Sequence, residues 1–123
     1  MNIIDYIKKN KDKTWKEQPF NEIENLIFSL LTYIDFSDIV PAFKNGKITL
    51  KEAAIKLEDK KKNFRGMFIS NTFKMLQIMK NTPRYQNILL YNYMKIVNIV
   101  MQFGAMTMRL PDKSIYISFA GTD

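Results

Sequence analysis

The sequence predicts an α+β fold: amino-terminal helices followed by a three-stranded antiparallel β-meander. Three observations carry this prediction. Apolar residues recur at three- and four-residue spacing through Ile23–Ile34 and again through Leu50–Leu57, the period of an amphipathic helix. From Ile88 onward the period shortens to two and the residues become aromatic and β-branched. Leu110-Pro111-Asp112-Lys113-Ser114 then separates two alternating runs with turn chemistry, proline presetting φ and aspartate able to bond its own backbone. The 123 residues read as one domain, expected to be incomplete, with a helical part over 1–81 and the meander over 86–123. No internal repeat, low-complexity tract or flexible linker divides it.

Each element has a local reason. Asn2–Asn10 is a short helix with Ile3, Ile4 and Ile7 on one face and Lys8-Lys9 at the carboxyl end, where the helix dipole favours cations. Trp15–Phe20 reads as extended, because Pro19 disfavours the helical region for the residue before it. Asn21 is an N-cap with Glu24 three residues on, a variant of the capping box. It opens a helix whose stripe of Ile23, Leu26, Ile27, Leu30, Leu31 and Ile34 faces the core. Asp35-Phe36-Ser37-Asp38 ends it before Pro41. Asn45-Gly46 is a turn. Thr49 and Glu52 form a capping box for a helix with Leu50, Ala53, Ala54 and Leu57 inside, running out into Lys60-Lys61-Lys62.

Asn63–Lys80 is a less regular helical segment with Ile69, Thr72, Phe73, Leu76 and Met79 on one face. Met67, Met75 and Met79 are gap fillers there. Asn81-Thr82-Pro83 ends it. The strands are Ile88–Val97, Phe103–Leu110 and Ile115–Phe119, with Asn98–Gln102 an unusually apolar turn. Simple alternation places Tyr91 and Tyr93 on one sheet face, where ordinary packing is preferred to a stacking platform for bases.

Composition narrows the chemistry. The chain has no Cys and no His, so a Ser-His-Asp triad, a Cys-His pair and a thiolate- or imidazole-bound zinc are excluded within it. No metal or cofactor site is expected. The four glycines, Gly46, Gly66, Gly104 and Gly121, make neither a phosphate-binding loop nor a Gly-x-Ser-x-Gly elbow. Asp35 and Asp38 are spaced like paired carboxylates but read as helix-terminating acids. The amino terminus lacks the pattern of a signal peptide, and no run is long and apolar enough to span a membrane, so a cytoplasmic location is expected.

Net charge is +7, concentrated in an interval (60–111) free of acids that holds Lys60, Lys61, Lys62, Arg65, Lys74, Lys80, Arg84, Lys95 and Arg109. It reads as a solvated basic face. As the alternative function, it makes the chain a small stand-alone module for an anionic partner, either nucleic acid or an anionic membrane surface, and nucleic acid is disfavoured because no recognition motif accompanies the charge.

Three stretches carry a resemblance: Pro19–Ile27 continuing to Phe36, Ile48–Ala54, and Gln102-Phe103-Gly104-Ala105 with Arg109–Asp112 and Ile115–Asp123. Together they resemble the amino-terminal portion of a bacterial family of lipase-like α/β-hydrolases related to the class 3 lipases. The resemblance implies the first part of an α/β-hydrolase fold, truncated before its nucleophile. It implies an oxyanion-hole role for Gly121 and Thr122, with Ala120 standing where the family usually has arginine. It implies an amino-terminal fragment of a serine hydrolase for an ester or acyl substrate, inactive alone because the Gly-x-Ser-x-Gly elbow, acid and histidine are absent. The Ile115–Phe119 strand, left with an open apolar edge, is expected to promote self-association.

Overall fold

The computed structural model describes residues 2–42, 46–62, 71–97 and 102–121. Its order is α1 (Ile3–Lys9), α2 (Glu22–Thr32), β1 (Ile48–Thr49), α3 (Leu50–Lys62), α4 (Asn71–Lys80), α5 (Pro83–Gln86), β2 (Leu89–Val97), β3 (Gln102–Arg109) and β4 (Ile115–Gly121). The fold is α+β. The strands form one sheet in the order β1-β2-β3-β4, with every pair antiparallel. The meander therefore has a fourth, two-residue strand, supplied from the helical part. Alternation over two residues leaves no periodic signal, so β1 was not legible in the sequence. This antiparallel sheet does not by itself show an α/β-hydrolase fold.

Helix ends follow their capping chemistry. Asn2 Oδ1 accepts from the Asp5 N–H, and Asn21 Oδ1 accepts from the N–H groups of Ile23 and Glu24. Thr49 Oγ1 accepts from the Glu52 N–H at 3.1 Å, and its hydroxyl donates to the Glu52 carboxylate. Residues 15–17 are turn rather than extended. The reason is a second box, Thr14-x-x-Glu17: the Thr14 N–H donates to Glu17 Oε1 at 2.9 Å and the Glu17 N–H to Thr14 Oγ1 at 3.1 Å. Of the expected turns Asn45-Gly46 and Asn98–Gln102, only Gly46, with a left-handed φ of 95°, and Gln102, which is the first residue of β3, are described; the start of the Asn63–Lys80 segment and its Met67 lie outside the described residues.

The face α2 buries is rotated from the expected stripe. Glu24, Ile27, Phe28, Leu31 and Thr32 are inside, whereas Ile23 and Leu26 are exposed. Tertiary contacts set this. Phe28 packs against Trp15, Phe20 and Tyr116, and the Glu24 carboxylate does not close a capping box but turns inward to Arg84. That ion pair is fully buried, with Arg84 Nη2 2.9 Å from Glu24 Oε1. Arg84 Nε and the hydroxyls of Tyr6 and Tyr85 also donate to the carboxylate, at 2.8–3.2 Å. The remaining guanidinium protons go to the carbonyls of Lys13, Thr14 and Gln18, and the group stacks 3.7 Å over the Trp15 ring. Burial first, and then the Glu24 charge, hold the Tyr85 hydroxyl far above an ordinary tyrosine pKa. This network clamps the 10–20 segment against α2 and α5.

Helix α2 lies across β3 and β4 on one face of the sheet, and α3 packs on α4 and α5 beside it. The single core runs from Ile7, Phe28 and Leu31 through Leu50, Ala53, Ala54, Leu57, Leu76 and Met79 to Leu90, Met106 and Met108. One glycine lies at a close approach: a Cβ on Gly104 would sit 3.3 Å from the Thr32 carbonyl oxygen. A side chain there would require α2 or the strand to give by a few tenths of an ångström.

Candidate functional site

Among the described residues the helices pack on one face of the sheet, and on the other Met94, Ile96, Ile115, Ile117 and Phe119 are exposed while Ala105 and Thr107 of the central strand are buried. Directly paired residues of antiparallel strands point to the same side, so the register identifies the outer face. Arg109, Thr107, Ala105 and Phe103 of β3 lie opposite Ile115, Ile117, Phe119 and Gly121 of β4. On the other flank they lie opposite Leu89, Tyr91, Met94 and Ile96 of β2.

Within β2 the phase is kept by a bulge. Asn92 and Tyr93 together oppose Met106, and Asn92 takes a left-handed φ of 52°. One extra residue sends Tyr93 inward, where it packs edge-on to Phe36 and donates to the Ile34 carbonyl, while Tyr91 stays outward beneath Lys47 Nζ at 5.3 Å. Tyr91 and Tyr93 therefore face opposite sides. The stacking platform that simple alternation allowed does not exist.

The outer face is unusually apolar for one in water. Ile115, Ile117 and Phe119 are 56%, 61% and 57% exposed, and Met94 and Ile96 beside them are also exposed. The inward phase of β4 is instead Tyr116, Ser118 and Ala120, and Ser118 Oγ is buried without a hydrogen-bond partner among the described residues. Hydrophobicity alone would turn this strand over, since a one-residue slip exchanges its two faces. The observed phase is held by Tyr116, stacked on Phe20 with ring centroids 3.9 Å apart, and by the Tyr33 hydroxyl, which donates to the Gly121 carbonyl at 2.9 Å. The more apolar side of β4 thus faces outward. The alternation was visible in the sequence, but which phase faces outward was not.

The residues singled out in sequence are scattered. Gly121 ends β4 beside a small recess of about 20 Å³, lined also by Thr32, Tyr33, Tyr93, Lys95 and Gly104. Thr122 lies outside the described residues. Asp35 accepts from the Ser37 N–H and pairs with Lys95 at 3.1 Å, while Asp38 sits in a left-handed turn with φ of 66°. Burial would raise the Asp35 pKa, but the Ser37 hydrogen bonds and Lys95 outweigh it and hold it down at about 2. The two acids therefore serve separate local structures and are not a catalytic pair.

The basic interval is equally dispersed. Arg84 is buried on Glu24, Lys80 pairs with Glu58 at 2.9 Å, Lys95 pairs with Asp35, and Lys60 reaches the Ser37 carbonyl. The side chains of Lys61, Lys62 and Arg65 lie outside the described residues. At the outer face the register places Arg109 between Leu89 and Ile115, and Lys47, from outside the interval, lies over Tyr91 in the next row. Among the described residues no helix is long and apolar enough to cross a membrane.

A family model described as Mbeg1-like matches residues 79–123. The matched stretch begins at the end of α4 and holds α5 and the three long strands, and leaves out β1 and α1 to α3. No curated protein and no solved structure matches the chain. The Mbeg1-like family is not a lipase or α/β-hydrolase family, and this overturns the lipase-like resemblance. The oxyanion role of Gly121 and Thr122 rested on that resemblance alone and loses its basis with it.

Proposed function

We propose that the chain is a binding module that works through the outer face of its sheet, and not a catalyst in its own right. One observation carries this reading: β4 directs Ile115, Ile117 and Phe119 outward and Ser118 and Ala120 inward, so its more apolar side has no cover within the described chain. Monomeric soluble proteins seldom leave a contiguous apolar face beyond a few hundred Å² unless it binds something. Three of the nine cations that were candidates for an anionic partner, Arg84, Lys80 and Lys95, are engaged in ion pairs with Glu24, Glu58 and Asp35. The hydrolase-fragment reading loses its support with the resemblance from which it came.

The test is binding of an apolar fluorescent dye by dilute protein at high salt, which suppresses purely ionic attraction of the dye. The wild type is expected to enhance dye fluorescence, and the pair Ile117→Lys with Phe119→Lys to remove most of that enhancement while Trp15 emission stays native. Equal dye binding by wild type and variant would refute the reading.

A further inference from the structure

We infer that the occupant of the outer face is a second copy of this chain, packed sheet against sheet about a two-fold axis that reverses the strands. This rests on the reading above, that the face is a binding surface, and adds what binds there.

Area is the first argument. The five exposed apolar side chains, Met94, Ile96, Ile115, Ile117 and Phe119, offer on the order of 500 Å². The half-buried Leu89, Tyr91, Phe103 and Arg109 around them raise this toward the roughly 800 Å² per partner of a stable interface. A two-fold axis lets one such patch cover an identical one with no further surface needed.

Charge distribution is the second argument, and it selects the arrangement. Among the described residues, Arg109 lies in the row that ends the face with Leu89 and Ile115, Lys47 lies over Tyr91 in the next row, and Phe103, its ring centroid 5.9 Å from that of Phe119, closes the opposite end. A two-fold axis parallel to the strands would bring both cationic ends together. An axis across them sets each Arg109 over the aromatic end of the opposite copy, where a guanidinium on a ring is favourable. Between these ends the side chains of Ala105, Thr107 and Ile117 are themselves uncharged.

Analytical ultracentrifugation over a concentration series tests the inference. The expected result is a mass rising toward twice 14.5 kDa, with association strengthened by salt because both copies carry +7. Ile117→Lys enters such an interface twice and should weaken it on the order of 100-fold or more, with Trp15 emission and far-ultraviolet dichroism unchanged. The chain has no cysteine. Mixed Phe103→Cys and Arg109→Cys proteins should therefore join through a short bis-maleimide, and two Arg109→Cys copies should not.

A monomeric mass up to about 500 µM, well above a micromolar dissociation constant, would overturn the inference. So would a dimer indifferent to Ile117→Lys, or one that joins Arg109→Cys to itself. A monomer that instead sediments with anionic vesicles, and is released by salt, would make the occupant a lipid surface and also overturn it. Dye binding separates the two levels: a monomer that still binds dye at Ile117 and Phe119 refutes the second copy alone.

Discussion

Replacing Arg84 with methionine tests whether the buried network holds the amino-terminal segment in place. Methionine keeps much of the stem's volume and its contact with Trp15 but removes the charge and every donor. The Glu24 carboxylate, fully buried, would keep only the Tyr6 and Tyr85 hydroxyls, and the carbonyls of Lys13, Thr14 and Gln18 would lose their guanidinium donors. Removing one partner of a buried ion pair costs about 3–5 kcal/mol, chiefly because the other charge remains desolvated. A domain of this length has a total stability of about 6–18 kcal/mol, so the loss is a large share of it. It corresponds to a fall in Tm of roughly 10–20 °C.

Urea unfolding followed by Trp15 fluorescence, with far-ultraviolet dichroism as a second probe, reads the change as a shift in midpoint at constant slope. Both probes are needed because Arg84 stacks directly on the reporting indole. Replacing Glu24 by methionine as well should cost little more than Arg84→Met alone, since no unpaired charge is then left. The cycle should give a coupling energy of about 2 kcal/mol or more. A loss below about 1 kcal/mol for Arg84→Met, or single effects that simply add, would refute the reasoning.

Three further outcomes follow from local geometry. Asn92→Gly should be neutral or stabilising by up to about 1 kcal/mol, and Asn92→Val destabilising by about 1–2 kcal/mol, because φ at the bulge is 52° and a β-branched residue avoids that region; equal midpoints for the two variants would contradict this. Gly104→Ala should cost about 1–3 kcal/mol in the same urea assay, since the new Cβ meets the Thr32 carbonyl oxygen at 3.3 Å and a backbone atom at a helix end has little room to yield; an unchanged midpoint would show that α2 can lift. Asp35, with its pKa held down at about 2, contributes stability that is complete above its ordinary value near 3.8 and is lost as pH falls toward 2. Asp35→Asn should flatten that acid limb of the stability profile, by well under the full value of the shift because the carboxylate is half-exposed; an identical slope between pH 4 and 2 would contradict it.

What the sequence determined by itself was whatever depends on near neighbours along the chain. The Asn21 and Thr49 caps, the buried face of α3 and the Asp112 turn between β3 and β4 are set within four residues, and they formed as the spacing required. So did the three long strands and the α+β class. Thr14-x-x-Glu17 was equally local, and its box was legible though masked by the constraint from Pro19. The tertiary structure decided everything that required two distant segments to meet. Glu24 read as a capping residue and Arg84 as one more surface cation, because only the docking of α5 against α2 joins residues 60 positions apart. The inserted residue at Asn92 turned Tyr93 away from Tyr91, which no period-two reading can foresee. Both phases of β4 hold apolar residues, so which side faced outward was fixed by Phe20 stacking on Tyr116 and by α2 crossing Gly104. That choice created the candidate site, and it was made by packing across the molecule, not by pattern along the strand.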